Sequence, residues 1–159
     1  MIRLRRLLVP HDLSPLADDA LAAAAEFAGP KGELLVLHAV VPIMPTTQTM
    51  AISLYVPVHE MIMDAKRHLA RVVADRIGPN GPKTTIKVVV GDPHECIVDH
   101  AAGQDAIVMS TRGRTGLAHL VMGSVAEKTV RHSPIPVLTI PSKAHLAAGS
   151  RTVPRRRAA

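Results

Sequence analysis

The chain of 159 residues is 47% hydrophobic and 20% charged, a balance that suits one folded domain with a single core and excludes wholesale disorder. Its net charge of +6 does not describe the body: five of the 19 Lys and Arg fall in residues 143–159, which hold no acid, leaving 14 basic against 13 acidic residues elsewhere. Phe27 and Tyr55 are the only aromatics, so stacking platforms are missing and specific nucleic-acid binding is not expected.

No apolar run approaches the roughly 20 residues a membrane helix needs. The opening Met1-Ile2-Arg3-Leu4-Arg5-Arg6 is basic, but the apolar run behind it ends at Pro10-His11-Asp12. That is too short for a secretory signal, and the expected location is the cytoplasm. A single cysteine, Cys96, excludes an internal disulfide and agrees with a reducing compartment.

In chain order, Leu4 to Val9 reads as a buried first strand ending at Pro10. Ser14 is placed to cap a helix with Pro15 at its first position. Leu16, Ala20, Leu21, Ala24 and Phe27 continue at helical spacing until Gly29-Pro30. Glu33 to Val41 reads as the second strand. The stretch from Pro42 to Pro57 holds several prolines and threonines without periodicity, and is expected to be an excursion at the edge of the sheet. A helix over Val58–Ile77 follows, then the turn Gly78-Pro79-Asn80-Gly81-Pro82. Ile86 to Val90, Ala106 to Met109 and Pro136 to Ile140 read as the third, fourth and fifth strands, with helices over Pro93–Ala102 and Ser124–Arg131 between them. Strands alternating with helices predict an α/β domain over residues 1–141, a five-stranded parallel sheet covered on both faces. Residues 142–159 are expected to form a basic, disordered tail.

The candidate site lies after the fourth strand, in Met109-Ser110-Thr111-Arg112-Gly113-Arg114-Thr115-Gly116 and in Gly123-Ser124 before the last helix. Small residues between a strand and a helix start let backbone N–H groups converge on an anion, and the helix dipole adds positive potential. Arg112 and Arg114 can add charge-assisted contacts to phosphate. The string is neither a P-loop nor the dinucleotide fingerprint, which requires a glycine pair after the first strand. A glycine turn before a helix is also ordinary punctuation, so the residues alone leave an anion cradle and a structural turn both open.

Other chemistry is poorly supported. Cys96 and His100 are four apart, with His94 nearby, but no second ligand pair has metal spacing. Ser124 lacks the Gly-x-Ser-x-Gly setting and a defined histidine–acid partner of a hydrolase. No general base or nucleophile is apparent.

Ser110-x2-Gly113-x9-Gly123-Ser124-Val125-Ala126-Glu127 resembles the Gly-x2-Gly-x9-Gly-Ser/Thr signature of ATP-binding universal stress proteins. The resemblance extends to Leu7-Leu8-Val9-Pro10-His11-Asp12-Leu13-Ser14, Val36-Leu37-His38-Ala39-Val40, Gly91-Asp92-Pro93 and Arg131-His132-Ser133-Pro134-Ile135-Pro136-Val137-Leu138-Thr139-Ile140. It implies a Rossmann-like, doubly wound sandwich that binds ATP, with Mg²⁺ or Mn²⁺ carried by the phosphates rather than held in a protein cage. Carried over residue by residue, Ser110, Gly113, Gly123, Ser124 and Val125 would hold phosphates and ribose, with Ala126 at the edge. Pro10 and Asp12 would face the adenosine, Asp12 as its polar contact, and Met109 would line the adenine pocket.

Two positions depart from the family pattern. Ala39 stands where the family has a valine, thinning the pocket wall unless Val40 or Val41 fills the space. Ser110 replaces the first glycine, which suits a position that must be small but not one that needs positive φ. The resemblance further implies a homodimer joined through the fifth strands. The function expected is a nucleotide-dependent stress or signalling module with at most slow ATP hydrolysis; the alternative is a nucleotide-free dimeric interaction protein of the same family.

Overall fold

The computed structural model describes residues 4–42, 57–111 and 122–141. Five strands, β1 (Arg6–Pro10), β2 (Glu33–Val40), β3 (Lys83–Val90), β4 (Ala106–Ser110) and β5 (Val137–Ile140), form one sheet in the order β3-β2-β1-β4-β5. Every pairing is parallel. Among the described residues four helices accompany the sheet: α1 (Pro15–Ala28), α2 (Val58–Ile77), α3 (Pro93–Asp99) and α4 (Ser124–His132). Among the described residues no helix is long and apolar enough to cross a membrane.

The two-residue period of the strands divides the core. Leu7, Val9, Leu34, Val36, Ala106 and Val108 pack with Leu21 and Ala24 of α1 and Leu69 and Val72 of α2. On the opposite face, Leu8, Leu37, Ile107 and Met109 meet Ile97 of α3 and Ala126 of α4. Leu7, Leu8, Val9 and Ile107 are all wholly buried, because a sheet clothed by helices on both sides leaves neither face of its central strands in water.

Local chemistry sets the helix starts. Ser14 Oγ accepts from the Ala17 amide, and Pro15 opens α1. Asp92 accepts from the His94 and Glu95 amides at the head of α3. Gly29, at φ 66, ends α1 and donates its amide to Ala25, a conformation that glycine takes without Cβ strain.

The structure corrects several expected boundaries. β3 begins at Lys83 rather than Ile86, because it pairs with β2 along its whole length, from Glu33↔Lys83 to Val40↔Val90. Lys83 to Thr85 form the less apolar start of an edge strand, where alternate side chains meet water. β1 begins at Arg6 rather than Leu4, and β2 ends at Val40 rather than Val41. α3 ends at Asp99 rather than Ala102: the Ala101 amide turns onto Val98 O and Gly103 adopts φ 80. β5 starts at Val137; Pro136 lacks an N–H, although its carbonyl accepts from Ile107. The excursion expected between Pro42 and Pro57, and the tail over residues 142–159, fall on residues outside those described.

Candidate functional site: a cleft at the switch point of the sheet

The strand order reverses between β1 and β4, and in open α/β sheets ligands bind outside the carboxyl ends of strands at this point. A cleft of about 370 Å³ lies here, within the range of roughly 300–1,000 Å³ typical of small-molecule pockets. It is lined by Pro10 from the end of β1, Leu37, His38 and Ala39 from β2, and Met109 and Ser110 from β4. Pro93 and Ile97 of α3 supply further apolar wall, and Gly123, Ser124, Val125 and Ala126 bring in the start of α4.

This combination can hold an amphipathic ligand. Leu37, Ala39, Val41, Ile97 and Met109 offer apolar surface for a flat heterocycle. The start of α4 offers donors: Gly123 is its N-cap, extended at φ −73 and ψ 153, and among the described residues no side chain caps the helix. The capped starts of α1 and α3 contrast with it. Among the described residues the amides of the first turn of α4 therefore lie at the cleft without a side-chain acceptor, where an anion gains both hydrogen bonds and the dipole. Gly123 is itself fixed by donating its amide to Thr111 O at 2.7 Å.

The turn after β1 forms the other polar wall. Asp12 lines the cleft, and its Oδ1 accepts from both the amide and the hydroxyl of Ser14, which fixes the carboxylate. Leu13 has φ 64, the only positive value at a non-glycine among the described residues. A leucine in this region is strained and persists only where its surroundings hold it. His11 is buried beside it; burial pushes its imidazole below the ordinary histidine pKa, against the opposing pull of Asp18 and Asp12.

Of the residues expected at the site, Pro10, Asp12, Ala39, Met109, Ser110, Gly123, Ser124, Val125 and Ala126 all line this one cleft. Gly113, Arg112 and Arg114 lie outside the described residues. Ser110 ends β4 and is not among the residues with positive φ, so serine is accommodated without backbone strain. The wall thinned at Ala39 is supplemented by Val41, while Val40 turns into the interior at 3% exposure. His38 is held structurally: its Nδ1–H donates to the carbonyl oxygen of His11 at 2.7 Å.

Leu37, Val41, Pro93 and Ile97 belong to the cleft, but sequence reasoning gave α3 no part in the site. The alternation along β2 was the available signal for Leu37, which shares a face with Ala39. Nothing local marks Pro93 or Ile97, because their approach depends on how α3 packs.

Comparison with known proteins bears on the family and the fold. The model of the Universal stress protein family matches residues 3–141. A universal stress protein from the QAH/OAS sulfhydrylase 3′ region of Thermus aquaticus is 34% identical over 143 residues, covering 86% of this chain and 98% of its own. Universal stress protein MJ0577 of Methanocaldococcus jannaschii is 28% identical over 156 residues, covering 87% of this chain and 96% of its own. The solved structure of MJ0577 superposes with a TM-score of 0.76, covering 89% of this chain and 99% of that one. More distant solved universal stress proteins share the fold, one in complex with cAMP at 20% identity and TM-score 0.58, and one from Arabidopsis thaliana with AMP bound at 18% and 0.57. The five-stranded parallel sheet, the match over residues 3–141 and a relative one-third identical place the chain in a single family: it belongs to the universal stress proteins.

Proposed function

We propose that this universal stress protein binds an adenine nucleotide, with ATP as the ligand, in the cleft between the ends of β1, β2 and β4 and the start of α4. The observation that carries the reading is the meeting of two surfaces in one cleft. One is apolar, from Leu37, Ala39, Val41, Ile97 and Met109; the other is the uncapped helix start at Gly123, Ser124, Val125 and Ala126. A base needs the first surface and phosphates need the second. Asp12, fixed by Ser14, is the group for a ribose hydroxyl. The family signature assigns Gly113 to the same phosphate side.

The fit is chemical as well as spatial. Backbone amides and a helix dipole suit a multiply charged phosphate without a protein cage for its cation, so Mg²⁺ or Mn²⁺ accompanies the triphosphate. Family members crystallised with cAMP and AMP support an adenine nucleotide as the ligand class. The function that follows is a nucleotide-dependent stress or signalling module, with hydrolysis slow at most. Two copies join through β5, which pairs only with β4 among the described residues and leaves an edge for a partner strand.

Ligand-dependent stability tests the reading. A ligand present at about 100 times its dissociation constant stabilises the folded state by about 2.7 kcal/mol. Millimolar ATP should therefore raise the melting temperature by several degrees, and protein purified from cells should release adenine nucleotide on denaturation. Gly123→Val should abolish the shift while the fold persists, because the extended backbone at this residue admits a side chain, which then crowds the phosphates. Failure of ATP, AMP and cAMP alike to stabilise the protein would reject nucleotide binding. An unchanged shift in Gly123→Val would reject this cradle.

A further inference from the structure

His11 is buried among the residues that line the cleft, yet none of the proposed nucleotide contacts uses its ring. Its side chain has no exposed surface. Its backbone is tied on both sides: the amide donates to Leu37 O at 2.9 Å, and the carbonyl oxygen lies 2.7 Å from His38 Nδ1. The ring closes the turn that follows. Nδ1 accepts from the Leu13 amide at 3.1 Å, so it must carry a lone pair, and the proton of the neutral ring sits on Nε2. Nε2 lies 3.1 Å from Asp18 Oδ1, a close charge contact without hydrogen-bond geometry, and neither atom has a hydrogen-bond partner among the described residues. The other oxygen of Asp18 reaches Arg76 at 3.5 Å.

The residue held by this bond is Leu13, at φ 64. A bulky side chain does not keep that conformation unaided, and Leu13 follows directly on Asp12, the proposed adenosine contact. A second proton on His11 would place an N–H at Nδ1, facing the N–H of Leu13. The bond would then become a repulsion.

We propose that neutral His11 is the positioning residue of the nucleotide cleft: by accepting the Leu13 amide it holds the turn that presents Asp12, and protonation of its ring releases both turn and nucleotide. The proposal rests on the nucleotide reading above. Charged and titratable groups face the ring from each neighbouring element. Asp18 of α1 and Asp12 of the turn favour the added proton, whereas His38 of β2 and His68 of α2 oppose it. Arg76 of α2 draws part of the Asp18 charge to itself. Burial outweighs the two acids and keeps the ring neutral below the ordinary value of 6.5, so release belongs to acid conditions and not to neutral pH.

The test measures ATP affinity calorimetrically from pH 7.5 to 5 for the wild type, His11→Asn and His11→Leu. Asparagine carries an acceptor in place of Nδ1 and does not titrate, whereas leucine carries none. His11→Leu should bind about tenfold more weakly across the range, as expected for one lost hydrogen bond, and His11→Asn should recover most of that loss. The wild type should weaken about tenfold relative to His11→Asn toward the acid end; the ionisation of ATP itself cancels in this ratio. A ratio that stays constant, or His11→Asn binding no better than His11→Leu, would overturn the proposal. Nitrogen-15 spectra of the nucleotide-free wild type should show the Nε2–H tautomer at pH 7.5. An Nδ1–H tautomer or an imidazolium would overturn the latch whatever ATP does. The correct tautomer with no ATP binding by the wild type would overturn the nucleotide reading and, with it, the role of His11 at the cleft.

Discussion

Thr129 is wholly buried on α4, and its hydroxyl finds no hydrogen-bond partner among the described residues. A buried hydroxyl without a partner keeps its desolvation cost and gains nothing in return. Thr129→Val preserves the shape and removes the polar atom, and should stabilise the protein by about 1 kcal/mol in urea unfolding; a loss of stability would show that the hydroxyl is satisfied in solution. Single residues were also where the sequence was most and least readable. Ser110, Gly123 and Ser124 announced themselves by spacing and small size, Met109 only through the family resemblance, and all four line one cleft. Pro10 and Asp12 emerged only once the whole pattern of motifs was considered. His11 remained hidden, since its importance lies in a 3.1 Å bond to Leu13 and in a contact with Asp18, a partner in a different element.

The elements were readable where punctuation and periodicity agreed. Ser14-Pro15 and Gly29 mark both ends of α1, and Asp92-Pro93 marks the start of α3. The first half of β3 was not, because its pairing with β2, rather than its own apolarity, makes Lys83 to Thr85 a strand. Registration between β1 and β4 depends on another feature without a local signal. Asp105, just before β4, accepts from the amides of Arg6 at 2.8 Å and Arg5 at 2.9 Å. These two bonds, with a smaller contribution from the Arg6 guanidinium, hold its carboxyl below the ordinary aspartate value of 3.8 despite opposing desolvation. A depressed folded-state pKa means that this stabilisation is fully present above the unfolded value and is lost as pH falls through the lower, folded value. Asp105→Ala should cost about 1 kcal/mol at neutral pH, and the difference from the wild type should shrink in strong acid. Urea unfolding at both pH values measures it; a difference independent of pH would remove the carboxylate from the account.

At the scale of the molecule, alternating strands and helices made the parallel sheet legible, but not the order β3-β2-β1-β4-β5 that creates the switch point. That order brings the ends of β1 and β4 to one cleft and leaves β5 on an edge. Sedimentation of the full chain at micromolar concentration should give a species of twice the chain mass; a monomer at every concentration would remove the proposed pairing through β5. The apolar wall contributed by Pro93 and Ile97 likewise exists only in the assembled fold. The central claim is that the start of α4 and the turn after β1 grip one adenine nucleotide, and a titration of nitrogen-15-labelled protein with MgATP tests it most directly. The amides of Ser124, Val125 and Ala126, together with those of Asp12 and Leu13, should shift together and saturate at one nucleotide per chain. Amides that stay in place at millimolar ATP, or that shift only at residues remote from the cleft, would contradict it.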